Sequence, residues 1–135
     1  MTVPGVHFPG VGVGLAILRD GKLLLYKRMN APEAGHWNIV GGKVDHLEPS
    51  VQAAKREAEE ETGLSIGEIE FVKTSEQIID ADHQHWISLL YKTEDFSGEP
   101  SLTEPDKLSD FGWFELDNLP EPLSAFTRAI VPHLV

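Results

Sequence analysis

The spacing of apolar residues predicts strands over much of the chain. Six segments have the length of a strand and either alternate apolar and polar residues or are continuously apolar. They are 11–19, 22–28, 37–40, 68–79, 83–93 and 110–116. The first two form a predicted hairpin, because Asp20-Gly21 between them is a strong turn signal. An N-terminal arm at 1–10 and stretches rich in Pro, Gly or polar residues at 29–36 and 94–109 are predicted to be irregular.

A helix is predicted from Pro49 to Thr62. Proline suits the first turn, where its missing N–H costs nothing, and Gly63 supplies a left-handed stop. A rotation of about 100° per residue places four small or apolar side chains on one arc, the predicted buried stripe: Val51, Ala54, Ala58 and Thr62. Gly41-Gly42 are expected to open the loop that leads into this helix.

A second helix is predicted at 124–134, with Ser124 as its N-cap and Pro132 weakening its last turn. Its predicted apolar face consists of Phe126, Ile130 and Leu134, with Val131 as a further candidate. Strands and two helices in this order fit a mixed sheet sandwiched between helical layers. The pattern therefore predicts an α/β fold.

Three glutamates crowd one side of the first predicted helix. Glu60 and Glu61 are neighbours of Glu57 on the helix surface because they follow it by three and four residues. Like charges at helical spacing are destabilising, and a bound cation would relieve that cost. Hard carboxylate oxygens suit Mg²⁺ or Mn²⁺. The plainer interpretation is a solvated acidic face, which is the usual state of a run of charges.

The sequence around these glutamates matches a known motif. It reads GKVDHLEPSVQAAKREAEEETGL from Gly42 to Leu64. This resembles the Nudix box, GX5EX7REUXEEXGU, in which U is a bulky aliphatic residue. Three residues depart from the usual pattern without removing a charge: Val40 for a frequent Pro, Leu47 for a frequent Gly, and Ala58 for a larger aliphatic residue.

The resemblance implies a Nudix fold, a mixed β-sheet in an α/β/α sandwich, formed by a single domain over residues 1–135. It implies that Glu57, Glu60 and Glu61 bind divalent metal together with the Gly42 carbonyl, with Mg²⁺ as cofactor and Mn²⁺ as a substitute. Either Glu57 or Glu60 would also help to take a proton from water.

Supporting residues follow from the same resemblance. Arg56 and Glu48 would pair and orient the metal-binding helix, a catalytic role exerted through the other glutamates. Lys43 would neutralise phosphate. A further acidic ligand is expected on a downstream loop, with Glu104 as the first candidate and Asp106 and Asp82 behind it.

Candidate substrate contacts lie outside the box. Arg28, or its neighbour Lys27, ends a strand and could reach a phosphate. A nucleobase could stack on one of three aromatic residues: Trp37, Phe96 or Trp113. Trp86 and Trp113 are rather expected in the core. His83 and His85 lie two apart and are predicted to share a strand face, but the carboxylates favour a hard metal over zinc.

Composition narrows the class of protein. The chain has 135 residues, 41% of them hydrophobic, enough for one domain with a core. Its formal net charge of −11 argues against unaided binding to polynucleotides or anionic membranes. No cysteine is present, so disulfides, thiolate zinc sites and thiol nucleophiles are excluded. With no secretory pattern or membrane-length apolar run, we expect a soluble cytoplasmic protein.

The expected activity is Mg²⁺-dependent hydrolysis of a nucleoside diphosphate linked to another group. Three further segments are similar to the nucleoside triphosphate branch with MutT-like enzymes: PGVGVG, HQHWISLLYK and EPDKLSDFGWFELDNLP. A nucleoside triphosphate, cleaved to monophosphate and pyrophosphate, is thus the first expectation. The alternatives are ADP-ribose or a nucleotide sugar as substrate, and a silent nucleotide-binding module. A homodimer is expected from the resemblance alone.

Overall fold

The structure is a computed structural model that describes residues 1–134. The strands are β1 (Gly10–Arg19), β2 (Lys22–Arg28), β3 (Trp37–Asn38), β4 (Val40–Lys43), β5 (Ser65–Ile66), β6 (Glu70–Ile79), β7 (Gln84–Thr93), β8 (Phe96–Ser97) and β9 (Leu108–Glu115). The α-helices are α1 (Ser50–Thr62) and α2 (Ala125–Ile130), and short 3₁₀ turns occupy Asp80–Asp82 and Val131–His133.

The described residues form a seven-stranded mixed sheet with β1 near its centre. β1 pairs in parallel with β7 and antiparallel with β2 and β4, while β6, β3 and β9 extend the sheet on either side. β5 and β8 form a separate two-stranded ribbon. The predicted mixed sheet is confirmed. β8 lies within the segment 94–109, which the sequence pattern predicts to be irregular.

The two helices cover opposite faces of this sheet. Side chains that alternate along β1 divide between them: Val13, Leu15 and Ile17 pack in the cluster that contains α1, and Ala16 and Leu18 pack in the cluster that contains α2. Successive residues of a strand point to opposite faces. The expected α/β/α layering is therefore confirmed. Neither helix has the length and apolar character that crossing a bilayer would require.

Helix α1 buries small residues against the sheet. Ala53, Ala54, Ala58 and Thr62 are its buried residues, and Gly63 ends it with φ +79° as predicted. The placement of Val51 in the buried stripe was wrong, because its side chain lies on the first turn and is 42% exposed. The first turn contacts the sheet through a hydrogen bond of 2.7 Å between the hydroxyls of Ser50 and Tyr91 instead.

Three local predictions need correction. Gly41 and Gly42 lie inside strand β4, paired with β1, and do not open a loop. Helix α2 ends at Ile130, where a 3₁₀ turn containing Pro132 replaces the predicted α-helical continuation. Phe126 faces a surface cleft and is not part of the buried cluster around Ile130.

The predicted pairing of His83 and His85 on one strand face is also wrong. β7 begins at Gln84, and His83 precedes it with a left-handed backbone (φ +52°). The His85 imidazole lies 2.7 Å from the Glu76 carboxylate on the neighbouring strand. The two imidazoles therefore have different surroundings.

Candidate active site

Arg56, in the middle of α1, is the centre of a charged network. Its Nε and Nη2 donate to the two oxygens of Glu48 at 2.7 and 3.0 Å, a bidentate pair. Its Nη1 donates to Glu57 at 2.8 Å and, more weakly, to Glu60 at 3.4 Å. Nη2 also reaches the Lys43 carbonyl at 3.2 Å and thereby ties α1 to the end of β4. The expected Arg56–Glu48 pair is present in the structure.

Glu57 and Glu61 point from α1 towards the glycines of β4. The Glu61 carboxylate accepts a 2.7 Å hydrogen bond from the Gly41 N–H. The Glu57 carboxylate lies so close to Gly42 that a Cβ there would be 2.3 Å from its Cδ and Oε2. Only glycine leaves room for this approach. The two carboxylates are therefore set against the sheet, whereas the Glu60 side chain is 52% exposed at the rim.

The surroundings of these carboxylates change their acidity in opposite directions. The hydrogen bonds from Arg56 hold the pKa of Glu48 at about 2. Burial, reinforced by the charges of Glu57 and Glu104, raises the pKa of Glu61 to about 8. Burial also raises the pKa of Glu57, although Arg56 opposes that shift. Around the inner carboxylates, burial and like charges thus outweigh the positive charges of Arg56 and Arg28.

Glu104 lies close to these inner carboxylates, as its effect on both of their pKa values indicates. Its loop is held on the end of α1 by hydrogen bonds from the Ser101 N–H to the Thr62 carbonyl and from the Thr103 hydroxyl to the Glu60 carbonyl. The buried Tyr26 hydroxyl donates to the Ser101 carbonyl at 2.6 Å.

The other two acidic candidates outside the box are placed differently. Asp82 accepts a hydrogen bond of 2.9 Å from the Glu33 N–H and so fastens the loop after β2. Asp106 is exposed, and its backbone carbonyl accepts from the Asn30 side chain. Of the three candidates, Glu104 is the one whose charge acts on both Glu57 and Glu61.

The residues present suit a hard divalent cation. Within residues 1–134, no three Asp, Glu, His or Cys side chains converge as a complete metal cage. Arg56 accounts for this, because its Nη1 draws Glu57 and Glu60 to itself. The donor chemistry still fits: carboxylate oxygens meet beside the Gly41-Gly42 backbone, in the space that a Cβ at Gly42 would fill.

A cleft of about 360 Å³ opens beside β4 on the other side of these glycines. Arg28 and Lys43 are the charged residues that line it, and the described lining includes no carboxylate. The Arg28 guanidinium is held by backbone carbonyls, with Nε 2.6 Å from Pro32 O and Nη2 3.3 Å from Ala31 O. Lys43 is exposed at the end of β4. Both predicted phosphate-binding cations therefore line the cleft, and the charge of Arg28 also acts on Glu61.

The structure reverses the predicted roles of two tryptophans. Trp37 does not line the cleft: its ring packs edge-on against Phe114, with centroids 5.1 Å apart, and joins the core beside α2. Trp86, predicted as a core residue, lines the cleft, and its ring lies against Gly5 and Gly10. Which face a strand residue occupies depends on pairing with β1 and β6, which the local sequence does not reveal.

The remaining aromatic candidates lie outside the cleft. The rings of Phe96 and Trp113 stack on each other with centroids 5.9 Å apart, and the Arg19 guanidinium lies 4.4 Å above the Trp113 ring. Both pack against the core cluster that contains α1. The core placement expected for Trp113 agrees with this, and neither ring is available for a base in the cleft.

Sequence reasoning missed two carboxamides that line the cleft. Asn38 and Gln84 are both part of its wall. The Asn38 oxygen lies 2.6 Å from the Ser124 hydroxyl and 3.2 Å from the Thr127 hydroxyl of α2, so residues far apart in sequence orient it. The signal for Asn38 was its position just before the glycines. Gln84 carried no comparable local signal.

Comparisons with known proteins agree with this geometry. The family model described as NUDIX domain matches residues 8–134. The crystal structure of a MutT NUDIX hydrolase from Burkholderia pseudomallei superposes with a TM-score of 0.90 at 46% identity, over 94% of this chain and 98% of that one.

Two curated relatives have been given different activities. An oxidized purine nucleoside triphosphate hydrolase of Danio rerio is 33% identical over 77% of this chain, and an ADP-ribose pyrophosphatase of Methanocaldococcus jannaschii is 35% identical over 84%. The matches span 65% and 66% of those relatives' own lengths, just under two thirds. The family match, the superposition and the preserved box lead to one conclusion: this chain belongs to the Nudix family.

Proposed function

We propose that this chain hydrolyses the phosphoanhydride bond of a nucleoside diphosphate-linked substrate with Mg²⁺ as cofactor. The preferred substrate is a nucleoside triphosphate, and the products are a nucleoside monophosphate and pyrophosphate. Mn²⁺ can substitute for Mg²⁺, since both accept hard oxygen ligands. The observation that carries the proposal is the approach of Glu57 and Glu61 to the glycines of β4, beside a cleft with two cations.

The proposal gives a role to each of the site residues described above. Glu57, Glu60 and Glu61 would hold the metal with the Gly42 carbonyl and Glu104, and the metal, when bound, would supply charge to screen the phosphates and to acidify a water molecule. Arg56, fixed by its bidentate pair with Glu48, sets the position of Glu57 and Glu60. Either Glu57 or Glu60 accepts the proton from the attacking water. Lys43 and Arg28 bind the phosphates electrostatically.

The ADP-ribose pyrophosphatase among the relatives supports a second candidate activity. ADP-ribose and nucleotide sugars contain the same diphosphate, so the same metal chemistry would serve. The products differ: a triphosphate releases pyrophosphate, whereas ADP-ribose releases AMP and ribose phosphate. A silent binding module is less well supported, because mutually repelling carboxylates serve no purpose without a cation. Cytoplasmic localisation and a homodimer stay predictions.

A single substrate scan tests the proposal. Purified protein is incubated with nucleoside triphosphates, nucleoside diphosphates, ADP-ribose and nucleotide sugars, with Mg²⁺ or with excess chelator. We expect nucleoside monophosphate and pyrophosphate to form from triphosphates, measured by chromatography of the quenched reaction, and neither to form with chelator. Turnover that persists in chelator would contradict the metal assignment, and sugar phosphate release without pyrophosphate would favour the second candidate.

A matched pair of substitutions distinguishes the loss of the Glu57 carboxylate from a general disturbance of α1. Glu57→Gln is expected to lower kcat/KM about 1,000-fold, a typical loss for a group that acts directly on developing charge. Glu59→Gln is the control, because Glu59 is on the same helix but accepts from the Ile66 N–H, away from the inner carboxylates. Equal losses in both variants would mean that the helix, and not the Glu57 carboxylate, is at fault.

A further inference from the structure

The orientation of the Gln84 carboxamide is determined by its neighbour. The Trp86 indole Nε1 lies 2.8 Å from Gln84 Oε1. An indole N–H only donates hydrogen bonds, so the oxygen of Gln84 has to face it. The Gln84 amino group is therefore left as the free end of the side chain, at the wall of the cleft. This end can donate hydrogen bonds and cannot accept them.

Most other polar side chains in the wall of the cleft are also hydrogen-bond donors. The Asn38 oxygen lies within hydrogen-bond distance of two hydroxyls from α2, which leaves its amino group for the cleft. The charged lining residues, Arg28 and Lys43, are donors, whereas the Ser88 hydroxyl gives its hydrogen to Gln77 and can only accept from a ligand. Among the side chains described here, the cleft thus offers mainly donors and no carboxylate.

We propose that Gln84 selects a nucleobase that presents a carbonyl oxygen to the cleft over one that presents an amino group. The inference rests on the proposed function, because it places the base of a nucleotide substrate in this cleft. Guanine and uracil carry a carbonyl oxygen where adenine and cytosine carry an amino group. An amino group facing the Gln84 amino group would leave two donors without an acceptor, and unpaired polar groups in a partly closed site are costly.

The effect on selectivity has a definite direction. A site that hydrogen-bonds one group on its ligand rejects the analogue that lacks it far more strongly than an apolar pocket rejects a missing methylene. Since the cleft is open to water at its mouth, we expect a preference of about 10-fold for GTP over ATP and for UTP over CTP in kcat/KM.

Gln84→Glu tests this orientation with nearly the same shape. One carboxylate oxygen can still accept from Trp86 Nε1, and the other replaces the free amino group with an acceptor. We expect the GTP-to-ATP ratio of kcat/KM to fall about 100-fold and to invert. Binding of GMP, AMP, UMP and CMP to the metal-free protein, followed by NMR titration, should show the same reversal without any turnover.

The controls separate this inference from the proposed function. Gln52→Glu adds the same charge at an exposed position of α1 and should leave both ratios unchanged. A protein that hydrolyses no nucleotide, but whose nucleotide binding prefers carbonyl bases and reverses in Gln84→Glu, would refute the activity and support the inference. Absence of a base preference in the native protein, or an unchanged preference in Gln84→Glu, would overturn the inference even if hydrolysis is fast.

Discussion

Glu48 just before α1 and Glu61 in its last turn are the same residue type, yet their surroundings change their acidity in opposite directions. Glu48 pairs with Arg56 through two hydrogen bonds, and its pKa lies at about 2. Glu61 is buried beside two other acidic side chains, and its pKa rises to about 8. Two regions of one motif are thus distinguished: an outer part whose charges are balanced, and an inner part in which burial and negative charges outweigh the positive charge of Arg56.

This difference distinguishes a residue that holds α1 in position from the residues that are proposed to bind the metal. Glu48 is held by two hydrogen bonds from Arg56 and therefore stabilises the position of α1. Glu57 shares Arg56 with Glu48, but burial and neighbouring like charges still raise its pKa and that of Glu61, so a bound cation would remove repulsion that Arg56 does not offset. The inner region is therefore the expected metal site, and Arg56, which contacts Glu48, Glu57 and Glu60, links the two regions.

In this comparison, the largest loss of kcat/KM is expected from a substitution that fills the space occupied by the Glu57 carboxylate. Gly42→Ala places a Cβ where the Glu57 carboxylate lies, 2.3 Å from its Cδ, so that carboxylate has to move. We expect kcat/KM to fall at least about 100-fold, since small displacements of catalytic groups are costly. Steady-state kinetics over a range of Mg²⁺ concentrations would measure this. Gly112→Ala, on β9, is the control. If both variants lost the same fraction of kcat/KM, the loss in Gly42→Ala could not be attributed to displacement of the Glu57 carboxylate.

A smaller effect is expected in the outer region. Glu48→Gln removes the charge that pairs with Arg56 but no proposed metal ligand, so Arg56 loses its anchor. Loss of such an orienting partner typically costs about 10- to 100-fold in activity or metal affinity. The measurement is kcat/KM together with the Mg²⁺ concentration for half-maximal activity. If Glu48→Gln were as damaging as Glu57→Gln, the division into two regions would not hold.

The inner region should also make the metal-free protein less stable at high pH. The pKa of Glu61 rises from an ordinary 4.5 to about 8 in the folded state, so the folded protein binds more protons than the unfolded chain between these values. The free energy of unfolding therefore falls as pH rises through that window. Glu61→Gln should stabilise the metal-free protein by about 2 kcal/mol at pH 8.5 and not at pH 4.

Thermal unfolding in chelator would check this pH effect. Added Mg²⁺ provides the control, because it should stabilise the native protein at pH 8.5 and have little effect on Glu61→Gln. A variant that unfolds at the same temperature as the native protein at both pH values would show that Glu61 carries no strain.

The smallest effect concerns the turn before Glu48. Leu47 has φ +67°, a left-handed conformation that costs a branched side chain about 1 kcal/mol, and its side chain is 89% exposed. Leu47→Gly should therefore raise the free energy of unfolding by at most about 1 kcal/mol while leaving the Glu48–Arg56 pair in place. Chemical denaturation measures this change, and a clear loss of stability would indicate that Leu47 makes contacts of its own.

Local sequence sufficed where a single element carries the information. The hairpin at Asp20-Gly21, the stop of α1 at Gly63 and the cap of α2 at Ser124 depend on backbone preferences within a few residues, and each is found as predicted. The resemblance to the Nudix box likewise implied that Arg56 and Glu48 would pair, and their side chains are hydrogen-bonded in the structure.

Only the tertiary structure decided which groups face the site. Spacing on a helix makes Glu57, Glu60 and Glu61 neighbours, but the position of β4 buries the first and last and leaves Glu60 at the rim. The exchange of Trp37 and Trp86 has the same origin, since strand register assigns a side chain to one face. The sequence by itself determined the helix and its charges, and long-range strand pairing decided their surroundings and hence their acidity.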